Sequence, residues 1–211
     1  MQASSKQFYQ YPLHLIFHPF DGYWELKYER NQKTTLLISL MIMVLLVFTK
    51  ILQAQYSGFL INFNNPKYLN SLLEMVYVVI PVLFWCVANW SLTTLMDGEG
   101  KFSEIFMSTC FALVPMFLVH FPWIWLSLAI SQQETAFYYF SNAIAVCWTV
   151  YLLFVGNMTV HQYTPAKTIL TMLLTLVAMA FMAFLCLLFF SLVQQIVSFV
   201  YTIYQELVLR G

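Results

Sequence analysis

The densest run of residues able to do chemistry is Asp97-Gly98-Glu99-Gly100-Lys101, followed by Glu104. Three carboxylates this close together could hold a cation or meet a basic partner surface. The spacing lacks the ligand run of a calcium loop. It also lacks the further acids of the alcohol phosphotransferases whose motif begins with Asp-Gly. The run therefore reads as a solvated turn between two helices, with Asp97, Glu99, Lys101 and Glu104 as candidate partner contacts. Gly98 and Gly100 are expected to let the chain reverse tightly, because glycine accepts positive φ without a Cβ clash.

Other polar groups are sparse. His120 sits between Pro115 and Pro122 in a long apolar stretch, and Asn89 and Asn142 lie in two others. An ionisable group inside a membrane is a functional hypothesis by default. A lone neutral histidine can also satisfy itself on a backbone carbonyl, or on Asn142 across helices, and packing is the expected role. His161 carries no motif. Pro81, Pro115 and Pro122 each remove a helical hydrogen bond and are expected to kink their helices. Cys86, Cys110, Cys147 and Cys186 fall in separate apolar runs without C-x-x-C spacing, which predicts packing rather than metal binding. No H-E-x-x-H, nucleophile elbow, P-loop or serine–histidine arrangement occurs. No catalytic, cofactor or metal-binding residue is assigned, and no cofactor is implied.

The composition says what must position these groups. Of 211 residues, 61% are hydrophobic and 9% charged, against about 25% charged in a typical soluble domain. Mean hydropathy is +0.75. Net charge is zero, so there is no basic patch for a nucleic acid. Charges act as fence posts. Between Glu74 and Asp97 lie 22 uncharged residues, between Glu104 and Glu134 lie 29, and between Glu134 and Lys167 lie 32. A span needs ~20 apolar residues to cross ~30 Å of hydrocarbon. The predicted fold is all-α: a polytopic membrane bundle of five helices near 34–54, 71–96, 103–130, 136–158 and 166–192.

Lys and Arg bias sets the orientation. With the N-terminus cytoplasmic, Lys6, Lys27, Arg30, Lys33, Lys101 and Lys167 fall inside, against Lys50, Lys67 and Arg210 outside. The C-terminus is then external. Residues 1–33 read as a cytoplasmic segment, 34–205 as the five-span domain and 206–211 as a short tail. Within the first segment, Asp21 is expected to cap a short interfacial helix with Phe20, Trp24 and Tyr28 on one face. These aromatics are further candidate partner contacts. Asn64-Asn65-Pro66 marks a turn in the longest loop. Asn157-Met158-Thr159 matches a glycosylation acceptor that would face the cytoplasm and go unused. Beyond the fifth span, Gln195, Ser198, Thr202 and Gln205 recur at helical spacing, so that helix is expected to overrun the hydrocarbon or bend into the interface.

The stretch TLMDGEGKFSEIFMSTCFALVPMFL resembles the signature of the YIP family, the Ypt/Rab-interacting multi-span proteins. The matching positions are Gly98, Gly100, Phe102 and Ala112-Leu113-Val114-Pro115, with Phe111 where a tyrosine is usual. HPFDGYWELKYER resembles the pre-membrane stretch of the bacterial branch. The resemblance implies five spans with a cytoplasmic N-terminus, in a bacterial cell membrane, or in endoplasmic reticulum or Golgi for a eukaryotic chain. The short N-terminus argues against a Rab-type GTPase partner. The expected function is a non-enzymatic adaptor that binds other integral membrane proteins. The alternatives are an accessory subunit beside the permease of an ATP-driven importer and an intramembrane lipid-handling enzyme.

Overall fold

The computed structural model describes residues 7–62 and 68–210. Lys6, Lys67 and the Asn64-Asn65-Pro66 turn lie outside them. Eight α-helices follow one another in the described chain: α1 (Gln7–Phe17), α2 (Pro19–Tyr28), α3 (Gln32–Tyr56), α4 (Ser71–Leu95), α5 (Phe102–Ala112), α6 (Val114–Leu126), α7 (Thr135–His161) and α8 (Pro165–Arg210). Five stretches are long and apolar enough to cross a membrane, with α5 and α6 together forming the third. Backbone polar groups have no water partner in lipid, so helices are the form such runs must take.

Local chemistry sets the ends. Asn31 accepts a hydrogen bond from the Lys33 amide and opens α3. Asn70 does the same for the Leu72 and Leu73 amides at the start of α4. Glu104 accepts from the Lys101 amide at 3.2 Å and opens α5. Gln162 turns into the left-handed region (φ 56°) and stops α7. Pro115 has no amide hydrogen and its ring crowds the carbonyl four residues back; the third span accordingly breaks at Leu113. Pro81 and Pro122 instead lie inside unbroken α4 and α6.

The N-terminal segment folds into the bundle. α1 and α2 form a hairpin whose Tyr11 hydroxyl donates to the Gly22 carbonyl at 2.8 Å. Tyr11, Leu15, Tyr23 and Leu26 join Met107 and Phe111 in the main apolar core. The opposite face of α2 leaves Phe20, Trp24 and Tyr28 about half exposed. His18, not Asp21, is the N-cap of α2. Pro19 starts the helix, because its fixed φ suits the first turn, and so Asp21 falls inside that turn. Where α7 crosses α5 and α2, Gly156 provides the room. A Cβ there would overlap Ser108 Oγ and meet the Tyr23 ring at 3.0 Å.

α8 runs on as one helix to Arg210, past the span end expected near 192, in keeping with the overrun that its polar spacing predicts. Only its first part packs, through Thr168, Thr171 and Thr175, which are fully buried.

Candidate functional site

The acidic turn is built on α4 and α7. The Gly98 amide donates to the Thr93 carbonyl at 2.8 Å, and the Tyr163 hydroxyl donates to the Met96 carbonyl at 3.0 Å. Burial, with the Asp97 charge adding to it, raises the Tyr163 hydroxyl above the usual phenol range, so it stays a donor. The tight reversal falls on Asp97 (φ 57°), and no described glycine has positive φ. The expectation for Gly98 and Gly100 is therefore corrected: closeness, not handedness, excludes a side chain there. A Cβ on Gly98 would lie 2.7 Å from His161 Nδ1, and one on Gly100 would lie 2.6 Å from His161 Cε1.

His161 is the hub beneath the turn. It is 1% exposed. Its Nδ1 accepts from the Gly100 amide at 3.3 Å, which fixes the proton on Nε2. Nε2 then donates to Asn89 Oδ1 at 3.0 Å. Asn89 in turn donates to Thr175 Oγ1 at 3.4 Å. One chain of hydrogen bonds thus ties the turn to α7, α4 and α8. Tyr163 stacks on the His161 ring with centroids 5.4 Å apart.

Lys27 joins this hub to α2. Its side chain is 8% exposed, while its partner Glu99 is 65% exposed at 3.4 Å. The same ammonium donates to the Val160 carbonyl at 2.8 Å, near the open C-terminus of α7, where a cation is favoured. It also lies 5.2 Å from the centre of the Tyr28 ring, and Tyr28 packs on Trp24 at 4.4 Å. Trp24, Tyr28, Lys27 and Glu99 therefore form one continuous edge. Asp97 is exposed beside Glu99. Lys101 is exposed as the N-cap of α5, and Phe20 lies on the same open face of α2 as Trp24.

Glu104 does not belong to this edge. It is buried, and its carboxylate is occupied by the Lys101 amide and by Gln32 Nε2 at 3.3 Å. Other polar groups lie elsewhere. His120 Nε2 is 2.8 Å from Asn142 Oδ1, between α6 and α7. Asn157, of the glycosylation motif, is buried in α7 with its Nδ2 unpaired. Cys86 and Cys110 are buried, whereas Cys147 and Cys186 are exposed. At the opposite end, Lys50 borders a polar recess of about 200 Å³ with Gln53, Ser57 and Tyr138. Among the described residues no three His, Cys, Asp or Glu side chains gather as a metal site would require.

Reading the residues in order missed His161, Lys27 and Thr175. The available signal was the Thr168, Thr171, Thr175 stripe. Hydroxyls at helical spacing in an apolar run mark a face that packs on protein, although each here donates to a carbonyl three or four residues back.

Five apolar spans around a hydrogen-bonded turn define a multi-span helical membrane protein. A family model described as Yip1 domain matches residues 13–188. The chain belongs to that family. The match takes in α2, the acidic turn, the Leu113 break and the His161 hub. No curated protein and no solved structure matches the chain.

Proposed function

We propose that this chain is a non-enzymatic adaptor of a bacterial cytoplasmic membrane, oriented with α1, α2 and the acidic turn in the cytoplasm. The observation that carries the reading is the edge running from Trp24 and Tyr28 through Lys27 to Glu99. It places aromatic rings beside the exposed carboxylates of Asp97 and of Glu99, the latter paired with Lys27, which suits the basic, membrane-proximal surface of another integral protein. Buried aromatics supply most of the energy of such contacts, with charges adding selectivity.

Quantitative co-purification in mild detergent tests the adaptor role. Phe20→Ser, Trp24→Ser and Tyr28→Ser together should cut recovery of a bound membrane protein at least tenfold. Asp97→Asn with Glu99→Gln should mainly reduce its salt sensitivity, since exposed pairs contribute only ~0.2–1 kcal/mol each. Unchanged recovery in both variants would refute the reading. Orientation has its own test in a cysteine-free background. Ser131→Cys should react with an impermeant maleimide added to intact cells, and Thr164→Cys should react only after permeabilisation. The reverse pattern would invert the topology.

A further inference from the structure

The end of the bundle away from the acidic turn carries a second polar site. Lys33 is exposed at one end of α3, and Lys50 lies near the other. At ~1.5 Å per residue the two are roughly 26 Å apart along the helix, close to the ~30 Å of a hydrocarbon layer. Lys50 therefore stands where lipid phosphates begin, whichever way the chain is inserted. Beside it lies the recess of about 200 Å³, whose polar lining is Lys50, Gln53, Ser57, Asn62 and Tyr138. All five are half-buried, so the recess opens outward.

Its walls are fixed by contacts that owe nothing to a ligand. The Gly58 amide donates to Ser127 Oγ at 2.9 Å, which pins the chain leaving α3 to the end of α6. A Cβ on Gly58 would overlap the Ser127 carbonyl, so this approach needs glycine. Residues 58–62 then turn back over α3. The Ile61 and Asn62 amides donate to the Gly58 carbonyl, and Asn62 Nδ2 donates to the Ala54 carbonyl at 2.7 Å. On the third side, Trp123 packs edge-on against the Tyr138 ring at 5.4 Å, and Gln53 Nε2 donates to the Tyr138 hydroxyl at 3.0 Å.

This lining selects an anion. Having accepted from Gln53, the Tyr138 hydroxyl keeps its own proton to donate. Among the described residues the Ser57 hydroxyl has no hydrogen bond and Lys50 pairs with no carboxylate. Glu134, one turn before Tyr138, is taken up by the Ser131 amide and hydroxyl at 2.8 and 2.9 Å. A cation at the edge of the hydrocarbon is costly to leave without a counter-charge. One ammonium among neutral donors matches a phosphodiester, which carries a single negative charge and oxygens that only accept. With ~30 Å³ for one water, the recess has room for a phosphorus and its four oxygens. Lipid headgroups hold that group at this height. We propose that the recess is a phosphate-binding site that takes the headgroup phosphodiester of a lipid in the adjoining leaflet.

Native mass spectrometry of the full-length chain in mild detergent tests this, with phosphatidylglycerol or diacylglycerol of the same acyl chains supplied. The chain should retain roughly tenfold more phosphatidylglycerol, the scale set by hydrogen bonds to a charged group. Lys50→Gln should erase that preference, and Lys50→Arg should restore most of it. Tyr138→Phe should weaken it about threefold, as loss of one neutral donor implies. Lys33→Gln, at the other end of α3, should leave it unchanged. Helical content and the lipid-free unfolding midpoint of each variant separate loss of the site from loss of the fold. Inorganic phosphate is the competing arm: if it strips the lipid from the chain, the bound group is free phosphate and the lipid assignment falls. Equal retention of the two lipids, or a preference that survives Lys50→Gln, would overturn the site itself.

Discussion

Gly156→Ala should destabilise the bundle by about 1–3 kcal/mol, the range for adding a methyl group to a packed interior. The added Cβ would overlap Ser108 Oγ and press on the Tyr23 ring. α7, α5 and α2 meet at this point, so the damage cannot be relieved by moving one surface side chain. Thermal unfolding in detergent measures the loss. Ser108→Ala in the same chain removes the overlapping oxygen and should recover part of the stability, leaving the Tyr23 contact as the remainder. If the double variant is no more stable than Gly156→Ala alone, the Ser108 contact is not the source of the strain. Gly156→Leu should go further and prevent the helices from closing, with a collapse in folded yield.

His161→Leu should be comparably severe. It strips the Gly100 amide of its acceptor and Asn89 Oδ1 of its donor. Each buried group left unpaired costs about 1–3 kcal/mol. Proteolysis of the acidic turn should accelerate, because the turn would lose its anchor to α7. Asn89→Leu alone leaves His161 Nε2 unpaired and should also destabilise. The combined variant should cost less than the sum of the two, since removing both partners of a buried pair abolishes the unmet group. Simple additivity would show that the two side chains do not act on each other. Unfolding midpoints of the four proteins complete the cycle.

The spans were legible because membranes impose long uncharged runs, and the charges that bound them are visible one by one. α4 starts at Ser71 as read, and α3 covers Gln32–Tyr56 against an expected 34–54. The fifth helix was read as overrunning its span, but an apolar sequence carries no mark of where the helix stops, so its end at Arg210 was not legible. The turn was legible as a turn, but its glycines were misread. A glycine needed for closeness and one needed for positive φ look the same in a sequence, and only the position of His161 tells them apart. His161 lies 61 residues from Gly100 and 72 from Asn89, so no local pattern links them. Glu104 was read with the other acids by proximity in sequence. Helix geometry turns its carboxylate inward to cap α5, away from Asp97 and Glu99.

The Lys27 contact with Val160 has a consequence for how the chain is made. The two residues are 133 positions apart, and a ribosome adding ~5–20 residues per second needs roughly 7–27 s to cover that distance. α1 and α2 are synthesised first, yet the surface they close on is completed only when the fourth span has emerged. Until then the hairpin has only part of its seat, the contacts of Tyr23 and Leu26 with Met107 and Phe111 of α5. The hairpin therefore gains its Lys27 anchor last, and a nascent chain halted before Val160 lacks it.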